Sequence, residues 1–143
     1  MPWIILIVLT ALFFGLYNFF IKVSAGQIHQ ILGAVILQAV ALLMGGAALL
    51  FLKWKGVSVG FSPKGMMYAI LAGVFVGLAE ITSFYVFSKG INASVGIPVI
   101  VGGTVLVGAV LGIVFLKESV SWIQLTGIAC ILAGVAILAS HAA

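Results

Sequence analysis

The sequence predicts an all-α integral membrane protein, a five-transmembrane-helix bundle. Of its 143 residues 65% are hydrophobic and 6% are charged, and the mean hydropathy is +1.46. The apolar residues form five blocks, separated by short polar breaks at Ser24–His29, Lys53–Lys64, Lys89–Ser94 and Lys117–Ser121. A water-soluble domain of this size needs a polar surface, which this composition does not supply. Crossing a hydrocarbon core of about 30 Å takes about 20 helical residues at about 1.5 Å each, so the blocks use nearly the whole chain. Lipid-exposed backbone must satisfy its hydrogen bonds internally, and the alternating pattern of a membrane barrel is absent, so the blocks read as helices.

The expected spans are 3–23, 29–52, 64–88, 94–116 and 120–140, in a single membrane domain over 1–143. The first lacks a basic n-region and is too long for a signal-peptide core, so it reads as a retained span. Ser62 followed by Pro63 suits an N-cap with proline at the first helical position, opening span three. Span four meets Pro98 in its first turns, where proline is tolerated and a kink or a partly unwound start is allowed. Ser121 to Gln124 fits a capping box for span five. Cys130, alone and among apolar residues, reads as a packing residue. His29 and His141 lack ligand spacing, so no metal and no cofactor is expected.

The net charge of +4 comes from lysines scattered over span ends, without an arginine, and implies no nucleic-acid partner. It carries orientation instead. With five spans, Lys53, Lys55, Lys64 and Lys117 share one side, and Lys22 and Lys89 the other. The positive-inside rule then favours a cytoplasmic N-terminus in a multi-pass protein of the cell membrane, inner or plasma. Trp3, Trp54 and Trp122 map to the lysine-rich side, where indoles suit the headgroup layer.

Small residues four apart let helix backbones approach where lipid removes the hydrophobic drive. Gly73 and Gly77 in span three read first as packing within the chain. For Gly108 and Gly112 in span four, and for Gly127, Ala133 and Gly134 in span five, a contact between subunits is an equal alternative.

Four spans hold an isolated polar side chain deep in the apolar block: Asn18, Gln38, Glu80 and Thr104. Counted from the span ends, all lie roughly 10 to 15 Å in, near the midplane of a core of about 30 Å. Neighbouring helices run in opposite directions, so no single repeated spacing produces this layer, and it points to a common polar site. Lys22, one turn from Asn18, completes a stripe with Thr10 and Phe14. Glu80 is the one acid inside a span. An acid near the centre of a lone helix costs about 2.5–3.5 kcal/mol on insertion scales, so it should face the bundle interior and find a partner or a proton. Its charge state depends on how desolvation balances against a nearby ammonium such as Lys22. The functional reading is a coupling group in a transport pathway; the structural one is a Glu80–Lys22 pair or a hydrogen bond to Gln38.

Several motifs carry a family likeness. Phe14-Gly15 with Asn18 and Lys22 resembles the first helix of the drug/metabolite transporter superfamily. Phe84-Tyr85 through Lys89-Gly90 to Ala93-Ser94 and Pro98 is similar to its helix three to four junction. Leu116-Lys117-Glu118-Ser119, Trp122 through Gly127 and Leu132-Ala133-Gly134-Val135 resemble the end of its fourth helix and its fifth. The match is to a single EamA-type unit. Longer members carry two such units in opposite orientations, so the resemblance implies half of an inverted-repeat transporter. The missing half would come from a second chain, as a homodimer, parallel or antiparallel, or as a heterodimer with a paralogue. Inverted-repeat carriers bind substrate near the midplane between halves, the level of the polar layer. Position 14 is phenylalanine where the family often has tryptophan, and Glu80 lies where many members have an uncharged residue.

The expected function is a small secondary transporter, moving an organic metabolite or drug-like compound by proton-coupled alternating access. Asn18, Gln38, Glu80 and Thr104 would line the site, with Lys22 tuning its charge; Gly102 and Gly103 leave room for a ligand or a close helix crossing. The sparse polarity favours an apolar or amphiphilic substrate. A non-transporting assembly subunit and a lipid-linked sugar flippase subunit are the alternatives. No nucleophile–base constellation or phosphate loop suggests an enzyme.

Overall fold

The computed structural model describes residues 2–140. These form five helices: α1 (Pro2–Ser24), α2 (Gln30–Trp54), α3 (Pro63–Ser88), α4 (Ala93–Val114) and α5 (Trp122–Ser140). All five are long and apolar enough to cross a membrane. Their outward faces carry large apolar side chains such as Leu42, Leu43, Met44 and Phe75. On a water-soluble protein so much exposed apolar surface would drive association; against lipid tails it is the expected exterior.

Local chemistry sets the helix ends. Ser62 Oγ accepts a hydrogen bond from Gly65 N at 3.4 Å, with Pro63 at the first helical position. Ser121 and Gln124 form the reciprocal box, Ser121 N donating to Gln124 Oε1 at 2.8 Å and Gln124 N to Ser121 Oγ at 3.3 Å. His29, one of the two histidines in the sequence, is the N-cap of α2, its Nδ1 accepting from Ile31 N at 3.3 Å; His141 lies outside the described residues. The α4 helix runs unbroken through Pro98. Cys130, read as a packing residue, is instead exposed on α5. A helix that is apolar all round does not show in its sequence which face a neighbour covers.

The chain divides into two compact units, one of residues 1–19 and 90–143, the other of residues 20–89. In the first, α4 packs on α5. At Gly102 they are in close contact, since a Cβ there would collide with the Val135 side chain. The segment after α4 folds back on it: Glu118 N donates to Gly112 O at 3.1 Å, and a Cβ at Gly112 would lie 2.6 Å from Glu118 Oε2.

In the second unit, α2 packs on α3. This unit buries Ile21, Gly33, Ala34, Glu80, Phe84 and Phe87. Glu80, Phe84 and Phe87 recur at i, i+4 and i+7, one stripe of α3. The Phe84 ring lies on the bare backbone of Gly33, where a Cβ would stand 2.6 Å from Phe84 Cε1. Only glycine admits the ring at that approach.

Candidate functional site

The Gly33–Phe84 contact fixes the register of α2 against α3. The two helices run in opposite directions, so Gln38, five residues beyond Gly33, comes level with Ala79 and Glu80 on α3. Gln38 also lines an open groove of about 410 Å³ together with Ala34, Gly77 and Ile81. Those last two residues flank Glu80 in the helix. Gln38 and Glu80 thus occupy one level of one unit, as their depth in the sequence predicts.

Neither side chain is fully satisfied. Glu80 is 3% exposed, and its Oε2 and the Gln38 Nε2 are buried without a hydrogen-bond partner among the described residues. Among the described residues no ammonium lies within the 4.0 Å that defines an ion pair with Glu80. An unpaired buried polar atom carries the full desolvation cost of that group, about 1–3 kcal/mol and more when charged. Among the described residues an oxygen of Glu80 and the amide nitrogen of Gln38 are thus both left unpartnered at one level of this unit.

Lys22 is engaged elsewhere in the same unit. Its Nζ donates to Phe87 O at 3.4 Å and stands 5.8 Å from the Phe87 ring centroid. Phe87 is in the last turn of α3, where carbonyls lack helical partners and a cation is favoured. It lies about two turns from Glu80 along α3. The structure thus places Lys22 on the α3 terminus, not in a pair with the carboxylate.

In the other unit, Asn18 is buried and its Nδ2 donates to Phe14 O at 2.8 Å. Thr104 Oγ1 donates to Val101 O at 2.7 Å. Both bond their own helix backbone, the common resolution for a polar group in an apolar helix. Gly73, Gly77, Gly108, Gly127 and Gly134 are open, for a Cβ at any of them would meet nothing within 4 Å in its own unit. Gly102 and Gly112 are covered, by Val135 and Glu118. The sequence does not single out Gly33, and Phe84 stands in it only as part of a family-like motif, yet their contact sets the level of Gln38 against Glu80. A glycine and an aromatic on successive spans was the available signal, but most glycines here have the same surroundings in sequence.

Five helices, each long and apolar enough to cross a membrane, define a multi-pass membrane protein. The sequence profile of the EamA-like transporter family matches residues 1–140, and the chain belongs to that family. It is also 30% identical over 135 residues to an uncharacterised protein of Methanocaldococcus jannaschii, covering 94% of each chain. No solved structure matches it.

Proposed function

We propose that the chain is half of a small secondary transporter, which moves an organic metabolite or drug-like compound across the cell membrane by proton-coupled alternating access. The observation that carries this reading is Glu80: an acid in a membrane helix, buried, with Oε2 unpartnered. Acids at such depth face protein or a water-filled path and mark ion and substrate routes. Membership of a transporter family supports the same reading.

In this proposal Glu80 takes up and releases the coupling proton, and Gln38 presents its amide to the substrate. Lys22 biases the local field from the α3 end. Asn18 and Thr104 keep the pathway role that their depth in α1 and α4 suggests. The second half of the carrier is another copy or a paralogue, and the open glycines Gly108, Gly127 and Gly134 supply small-residue surface for its contact. The mostly apolar lining of the groove beside Gln38 favours an amphiphilic substrate.

Thermal stabilisation of the purified protein over a metabolite and drug library tests the binding step, since a ligand held only by the folded state raises its stability. A stabilising compound whose effect weakens in Gln38→Ala supports the site. A stabilising compound indifferent to both Gln38→Ala and Glu80→Gln moves the site elsewhere.

A further inference from the structure

Between Lys53 and Lys64 the chain carries Lys53, Lys55 and Lys64 and no acid; in the whole unit of residues 20–89 the one acid is Glu80, deep in α3. The segment does not simply trail away from α2. Gly56 takes a φ of +72°, in the left-handed region that glycine occupies without penalty. Gly56 N donates to Lys53 O at 3.0 Å and Val57 N to Leu52 O at 3.1 Å, closing the end of the helix. The turn brings Val59 back beside the last turns of α2, where it joins Gly46, Leu49, Leu50 and Lys53 around an open groove of about 380 Å³.

The walls of that groove are apolar and its one charged residue is Lys53. From Gly46 to Lys53 the helix rises about 10 Å, the distance from the headgroup level into the upper acyl layer. Trp54, beside Lys53, is 84% exposed, as befits an indole at the interface. Lys55 stands 4.7 Å over the Phe51 ring, with its charge held at the same end. Among the described residues no carboxylate lies within 4.0 Å of Lys53 or Lys55 to neutralise them. An apolar slot running into the bilayer below unneutralised cations is complementary to one molecule abundant there. We propose that the groove at the end of α2 is a binding site for an anionic phospholipid, an acyl chain lying along Gly46, Leu49, Leu50 and Val59 and the headgroup phosphate resting on Lys53.

The site is independent of Glu80 and of the transport reading. Its test uses the full chain with Trp54 as sole tryptophan (Trp3→Phe, Trp122→Phe), reconstituted in phosphatidylcholine vesicles. Brominated phosphatidylglycerol and brominated phosphatidylcholine are compared as quenchers at matched mole fraction. Phosphatidylglycerol should quench Trp54 at the lower mole fraction, and Lys53→Gln should reduce that preference roughly fivefold, the effect of about 1 kcal/mol per surface lysine. Gly46→Leu fills the floor of the groove and leaves every lysine in place. A Cβ at Gly46 meets nothing within 4 Å, so the helix accommodates it. Val59→Ser removes a wall from the loop side without touching a helix. Either change should abolish most of the preference. Equal quenching by the two lipids in the parent overturns the proposal. So does a preference that survives both Gly46→Leu and Val59→Ser, for that is the mark of diffuse surface attraction rather than a groove.

Discussion

Glu80 and Lys22 share a unit, yet each is held by different neighbours. The lysine serves the carbonyl of Phe87 at 3.4 Å, while Glu80 Oε2 has no hydrogen-bond partner among the described residues. Replacing Lys22 by methionine keeps the length and removes the charge from the α3 terminus. A bond to a charged group is worth about 1.5–3 kcal/mol, and this one is long, so Lys22→Met should cost about 1 kcal/mol in detergent unfolding. No measurable loss would place the ammonium in solvent or lipid headgroups instead. Gly33→Val tests the register. A Cβ there stands 2.6 Å from Phe84 Cε1, and overpacking of this kind costs about 1–3 kcal/mol. The double change Gly33→Val with Phe84→Leu should recover part of the loss; equal instability of the single and double variants would contradict the contact. Glu80 and Gln38 were legible in the sequence because a polar side chain in an apolar block stands out. The Lys22–Phe87 bond was not, because it depends on which helix ends meet, and the sequence nearer to hand offered Glu80 as the obvious counter-charge.

Among the elements, the caps were the most legible. Ser62-Pro63 and the Ser121–Gln124 box bond as their spacing predicts, because both are local and need no neighbour. Ser121→Ala should destabilise the start of α5 by about 1 kcal/mol, seen as faster amide exchange in its first turn; unchanged exchange would mean that the headgroup layer satisfies those amides. His29 was read only for metal and serves as a cap instead. The glycines were less legible, since the i, i+4 spacing is the same whether a glycine is open or covered. Gly112 lies under Glu118, which a sequence reading leaves in a loop, so a bulky residue there would disturb the α4–α5 connection as well as any subunit contact. Gly108 is the cleaner probe, for its Cβ would meet nothing within 4 Å. Gly108→Leu should retain the helix content and unfolding midpoint of the parent while weakening dimer cross-linking in bilayers. Undiminished cross-linking would move the contact off that face of α4.

At the scale of the whole molecule, the five-span architecture and the family followed from composition, span length and short motifs in order. Orientation follows from the lysines: Lys53, Lys55, Lys64 and Lys117 against Lys22 and Lys89 should place the N-terminus in the cytoplasm. Reporter fusions at both termini check this, and equal populations of the two orientations would instead favour an antiparallel pair. The central claim is that Glu80 couples a proton to substrate movement. It is tested most directly by proteoliposomes under an imposed pH gradient, with a defined metabolite and drug library followed across the membrane by mass spectrometry. At least one compound should move faster than in protein-free liposomes and respond to the gradient; Glu80→Gln, which keeps shape and hydrogen bonding but cannot titrate, should fold and lose the gradient dependence. Gradient-driven flux that persists undiminished in Glu80→Gln would contradict the account.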